Sequence, residues 1–165
     1  MTENSKNTSR VAWIGIDQSY SGFGVVKLDT DNDTQMDLWK FPPQASDGMR
    51  LGEIYVRCVT LFTQCQNAYD EVHVAMEGYA NGRTFNREKM GELGGTVKLS
   101  HASVFGTDPT IVPPTSLKKF VTGKGTASKD DMVNAVQSKW SKDVTNNNIA
   151  DAYGLAEYMR SEKPC

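Results

Sequence analysis

VAWIGIDQSYSGFGV, residues 11–25, is the stretch from which the rest of the chain can be read. Val11, Trp13, Ile14 and Ile16 make an apolar run that ends at Asp17. Ser19, Tyr20, Ser21 and Gly22 follow, and a second apolar run begins at Phe23. A buried strand, a tight turn and a strand returning beside it account for the pattern. A carboxylate closing a buried strand is costly unless something positive satisfies it, and in an enzyme that is usually a metal ion. Gly22 and Gly24 relax the φ limits of the turn and allow the backbone to approach a phosphate. Taken alone, the stretch reads first as an ordinary β-hairpin with a solvated Asp at its tip, and the rest of the chain decides against that.

The chain around it has 165 residues, a length that suits one domain with one buried core. The expected organisation is a disordered polar tail over residues 1–10 (MTENSKNTSR) and a single domain over residues 11–165. The tail lacks the apolar segment of a secretory signal, and no apolar run approaches the ~18–20 residues of a membrane span. Cys58 and Cys65, seven apart on one expected helix, are too far apart to bridge. With Cys165 they read as reduced thiols of a cytoplasmic protein. A net charge of −2 does not mark a generic nucleic-acid binder, but its distribution is uneven. Acids prevail before Arg83. Between Arg83 and Lys129 bases prevail, with Arg87, Lys89, Lys98, Lys118, Lys119 and Lys124 among them.

Three strands open the expected domain, over 11–17, 22–28 and 36–41. Residues 29–34 (DTDNDT) form the second turn rather than a calcium loop, because the Gly and terminal Glu of an EF-hand are missing. A helix over 46–69 has Leu51, Ile54, Val59, Leu61 and Phe62 on its apolar face and Ser46 or Asp47 as its cap. Residues 71–76 (EVHVAM) repeat the first feature, an apolar strand that delivers one carboxylate, Glu77. A helix over 85–103 presents Met90, Leu93, Val97 and Leu99. Its Gly91, Gly94 and Gly95 each cost roughly 1 kcal/mol relative to Ala and point to close packing against the sheet or a second subunit. A short strand over 110–112 and helices over 115–121, 128–140 and 147–159 complete the order. The last helix turns Ile149, Ala152, Leu155, Ala156 and Met159 inward. This order predicts an α/β layered domain whose ligand site lies near the strand ends.

A third acid, Asp151, lies in NNIADA (147–152) on a helix otherwise apolar on its inner face, with Asn148 three residues earlier on the same side. Oxygen ligands from separate elements suit Mg²⁺ or Mn²⁺, and two such ions about 4 Å apart suit phosphodiester hydrolysis.

Four segments in this order resemble the motifs of RuvC-type Holliday junction resolvases, members of the RNase H-like superfamily. They are IGIDQSYSGFGV with Asp17, VAMEGY with Glu77, LKKFVTGKGTASKDDM with Lys118 and Lys129, and NNIADAYGLA with Asp151. The likeness spans about residues 11–159. It implies an α/β RNase H-like fold, a five-stranded mixed sheet flanked by helices on both faces. It also implies a homodimer that cuts four-way and other branched DNA by paired nicking. Asp17, Glu77 and Asp151 would hold two Mg²⁺ or Mn²⁺ ions per site, with Asn148 where the family usually has a fourth acid or a His. Lys118 and Lys129 would contact phosphate. Lys119, Lys124, Arg83, Arg87 and Tyr79 are further candidate DNA contacts. The family's junction wedge corresponds to Ala80, and Tyr79 or Phe85 could replace it. Because Asn148 is neutral, the alternative is a junction-binding protein with weak or no cleavage. An actin-like kinase shares the Asp-and-glycine hairpin but needs two such domains.

Overall fold

β1, Val11–Asp17, is buried along its whole length because it lies at the centre of the sheet with a helical layer on each face. The computed structural model describes residues 9–78 and 87–165. β2 (Phe23–Asp29) and β3 (Thr34–Trp39) run back and forth antiparallel on one side of β1. β4 (Glu71–Glu77) and β5 (Thr110–Val112) lie parallel to it on the other. The resulting order is β3-β2-β1-β4-β5, the mixed five-stranded sheet expected from the sequence.

Side chains of β1 alternate between two cores, as a pleated strand requires. Val11 and Trp13 join Leu155, Ala156 and Met159 of α5 (Asn147–Glu162), together with residues of α3 (Pro114–Thr122) and α4 (Lys129–Trp140). Ile14 and Ile16 face the opposite layer, with Ile54, Cys58 and Phe62 of α1 (Asp47–Ala68) and Leu93 and Val97 of α2 (Arg87–Phe105). All five inward residues expected of the last helix are buried. Among the described residues, no helix is long and apolar enough to cross a membrane.

Local chemistry sets the helix ends. Ser46 caps α1 by accepting from the Met49 N–H. Ser128 and Asp131 cap α4 reciprocally. α3 starts at Pro114 and stops at Gly123, whose φ of +82° suits a residue without a Cβ. Asn146 caps α5 by accepting from the N–H groups of Asn148 and Ile149. The DTDNDT turn closes on Asp29, whose carboxylate accepts from the N–H groups of Asp31 and Asp33 and from the Tyr69 hydroxyl.

Several expectations need correction. Leu99 is 59% exposed, and only Leu93 and Val97 of the expected α2 stripe are fully buried. Gly94 packs inward, whereas among the described residues a Cβ on Gly91 or Gly95 would meet open space, so those two are not needed for packing there. Arg10, placed in the tail, is tied to the sheet end. Its N–H donates to the Asp70 carboxylate at 2.8 Å, and its carbonyl accepts from the Asp70 N–H at 2.8 Å. The rest of the expected tail, residues 1–8, and the start of the 85–103 helix lie outside the described residues.

Candidate active site

Strand register brings the first two acids together. β1 and β4 pair in parallel through Gly15↔Ala75 and Ile16↔Met76, which sets the strand-closing Asp17 and Glu77 side by side. Ala75 shares the α5-side core with Trp13, and Met76 shares the opposite core with Ile16. Alternation therefore turns both carboxylates toward α5.

The third acid arrives because α5 lies directly on β1. A Cβ on Gly15 would sit 1.9 Å from the Ala152 carbonyl oxygen, and one on Gly24 would sit 2.4 Å from the Asn148 carbonyl oxygen. Gly24 is itself the register partner of Asp17. Only glycine at these two positions lets the first turns of α5 descend onto the sheet. Asp151 and Asn148 come down with it.

The electrostatics record this meeting. Burial pushes the Asp17 carboxyl well above its ordinary range, and the charges of Asp151 and Glu77 push it further. A hydrogen bond shared with Glu77 adds to the shift, while Lys129 opposes it. Glu77 is raised to about 7, by burial and then by Asp151, against the pull of Lys118, the hydrogen bond from Asp17, and Lys129. Burial raises Asp151 to about 6, and the same two lysines oppose the rise. Three carboxyls and two ammonium groups thus act on one another across a single space. Among the described residues, no three His, Cys, Asp or Glu side chains close on one point as a ready-made metal cage. Asp151 raises the proton affinity of both Asp17 and Glu77, and Glu77 raises that of Asp17. The donor set, all oxygen and surplus in negative charge, is one that a hard dication would satisfy.

Asn148 divides its amide between two tasks. Its Nδ2 donates to the Gly22 carbonyl at 2.6 Å, tying α5 to the β1–β2 turn. The Oδ1 is the atom left for a ligand. Lys118 is half-buried on α3, and Lys129 is the exposed first residue of α4. Lys119, Lys124 and Arg87 are exposed. Lys89 does not join the carboxylates; its ammonium pairs with Asp47 at 2.9 Å. Tyr79, Ala80, Arg83 and Phe85 lie outside the described residues.

Sequence reasoning missed two residues here. Asn146 orients the first turn of α5, and an Asn just before an apolar helix was a legible cap signal. Gln18, only 4% exposed, donates from Nε2 to the Glu77 carbonyl at 3.0 Å, and among the described residues its Oε1 has no partner. Nothing local in the sequence marks it.

No protein-family model and no curated protein matches the sequence. Among solved structures, Thermus thermophilus RuvC matches with a TM-score of 0.65 at 21% identity, over 93% of this chain and 95% of that one. T. thermophilus RuvC in complex with a Holliday junction substrate matches with a TM-score of 0.67 at 20% identity, over 94% and 97%. The likeness establishes the fold, the RNase H-like α/β architecture of RuvC, across nearly the whole chain.

Proposed function

We propose that this chain is a metal-dependent endonuclease selective for branched DNA, Holliday junctions above all, acting as a homodimer that nicks two opposed strands. The observation that carries this reading is the meeting of Asp17, Glu77 and Asp151 from three separate elements at the ends of the central strands, on the α5 face of the sheet, opposed by Lys118 and Lys129. A fold shared with a protein solved on a Holliday junction supports the substrate class.

Asp17, Glu77, Asp151 and the Asn148 Oδ1 are the oxygens that would hold Mg²⁺ or Mn²⁺, two ions per site. Bound there, the ions supply Lewis-acid activation of water and charge stabilisation at the leaving oxygen. The protein's own part is positioning. Lys118 and Lys129 draw a backbone phosphate toward the carboxylates, and Lys119, Lys124 and Arg87 extend the phosphate contacts along a duplex arm. Gly24, packed under α5, keeps Asn148 and Asp151 in register with Asp17.

A labelled four-way junction and a linear duplex of the same composition, incubated with Mg²⁺ or Mn²⁺, test the reading. Paired cutting of the junction alone is expected, and Asp17→Asn should abolish cutting while junction binding persists. Full activity in Asp17→Asn would remove the carboxylates from the chemistry. Neutral Asn148 favours a second reading, junction binding without cleavage, and the same assay separates the two.

A further inference from the structure

The β1–β4 register runs from Val11↔Glu71 to Ile16↔Met76 and stops one residue short of the two acids. From there each strand continues with its other neighbour. Asp17 pairs with Gly24 of β2, and Glu77 with Val112 of β5, where the Gly78 N–H donates to the Val112 carbonyl at 2.8 Å. Two carboxylates that a metal site needs at one fixed separation thus belong to different strand pairs. Their charges act to widen that separation. Glu77 opposes the ionised form of Asp17, and Asp151 opposes that of both.

Gln18 spans the place where the β1–β4 ladder ends. Its Nε2 donates to the main-chain carbonyl of Glu77 at 3.0 Å. Gln18 is also the residue bonded directly to Asp17, so one side chain links the backbone of the first acid to the backbone of the second. The residue is buried, which shields the bond from water that would compete for the same carbonyl. The amide is a neutral donor, so it does not depend on whether the acids are ionised.

We propose that Gln18 is a positioning residue of the metal site, holding Asp17 and Glu77 at the spacing that Mg²⁺ requires. The inference rests on the nuclease reading above. Mg²⁺ demands near-octahedral oxygen ligands at ~2.1 Å, whereas Ca²⁺ accepts a looser shell at ~2.4 Å. Groups that orient metal ligands change affinity by about 10–100-fold without touching the ion. Without this tie, repulsion between the carboxylates has one restraint fewer to overcome. The ion with the stricter geometry then loses most.

Metal binding is measured first, apart from cleavage, by calorimetry of Mg²⁺ and Ca²⁺ on the DNA-free protein, with Asp17→Asn as the reference that lacks the site. Gln18→Met keeps the length of the side chain and removes its donor. It should weaken Mg²⁺ by at least about tenfold and Ca²⁺ by less. Junction affinity in EDTA should be unchanged, and the cleavage deficit should shrink as Mg²⁺ is raised. Gln18→Leu repeats the test with a second side chain that lacks a donor. Should neither variant fold, the unmodified protein decides. Its Gln18 side-chain amide should exchange slowly with deuterium, with and without Mg²⁺, and exchange at the rate of an exposed amide would show that the tie does not form. Unchanged Mg²⁺ affinity in a folded variant would overturn the proposal. Equal losses for Mg²⁺ and Ca²⁺ would overturn it too, because they mark general loosening rather than a set spacing. An unmodified protein that binds Mg²⁺ at these acids but cuts no junction would end the nuclease reading and leave the positioning role standing.

Discussion

Asn148 is the residue at which fold and chemistry compete. Its Nδ2 holds the Gly22 carbonyl, and a carboxylate there would set an oxygen against an oxygen. Asn148→Asp should therefore destabilise the metal-free protein by about 1–3 kcal/mol, the penalty for an unmade bond at a part-buried carbonyl. Denaturant unfolding in EDTA checks this, and an Asp variant of unchanged midpoint would show that the tie to the turn is dispensable. The carboxyls make a second prediction at this scale. Asp151 and Glu77 are raised to about 6 and about 7, and Asp17 is raised as well, from values near 4 in an unfolded chain. The folded protein thus binds more protons than the unfolded one between these limits. Metal-free stability is then highest below about pH 4 on this account, and falls as pH rises through about 6 and 7. The slope is at most about 1.4 kcal/mol per pH unit for each group. Asp29, whose carboxyl is lowered by the Tyr69 hydroxyl and backbone N–H groups, acts only at more acid pH. Melting curves from pH 5 to 8 in EDTA should decline with pH. With Mg²⁺ the decline should flatten or reverse, because a dication takes the deprotonated carboxylates. A metal-free melting temperature that climbs over this window would contradict the raised proton affinity of these buried carboxyls.

Among the elements, the seating of α5 on β1 decides whether there is a site at all. Gly15→Ala would drive a methyl group into the Ala152 carbonyl and the Ala156 N–H, both rigid backbone. A destabilisation of about 1–3 kcal/mol or more is expected from overpacking of this kind. Because α5 must lift to relieve it, cleavage should fall even under conditions where the variant is folded. Chemical unfolding and single-turnover cleavage together test this, and a fully active, fully stable Ala variant would show that α5 is not seated as described. Gly95→Ala is the contrasting case. It adds a methyl group where nothing among the described residues lies within 4 Å and replaces a poor helix former. Unless a partner covers that face, it should raise stability by about 0.5–1 kcal/mol.

At the scale of the whole molecule, the exposed face of α2 bears on the proposed dimer. Gly91, Gly95 and Leu99 recur at four-residue spacing on that face, and all three are exposed. Gly95→Trp should separate the subunits and replace paired cutting by uncoupled nicks. Sedimentation at micromolar concentration gives the subunit mass. A monomeric parent protein that still resolves junctions would end the dimer proposal. The basic residues make a salt prediction at the same scale. Each of Lys119→Ala and Lys124→Ala should lower the slope of log affinity against log salt by about 0.9 if it removes one contact with duplex phosphate. Unchanged slopes in both would take these lysines out of the DNA surface.

Much of this architecture was legible in local pattern. β1 and β5 fall where alternation and prolines put them, and the inward residues of α5 follow from its 3.6-residue period. The acids Asp17 and Glu77 stood out because each ends an apolar run, and Asp151 because it interrupts an apolar helix face. What the pattern could not carry was the identity of neighbours distant in sequence. Gly15 is indispensable only because a helix more than 130 residues later crosses it, with its backbone 1.9 Å from the missing Cβ. Gly94 turns inward while Gly91 and Gly95 face open space, a choice set by how α2 meets the sheet and α1. Leu99 is exposed because an apolar residue occupies a helical position without any guarantee of a surface opposite it. Gln18 and the Asn148 amide acquire their roles from single hydrogen bonds to the carbonyls of Glu77 and Gly22, which exist only once the strands and α5 have met. Periodicity reports which face of an element avoids water. Packing alone decides what that face touches, because contact depends on the relative placement of elements that the chain brings together last.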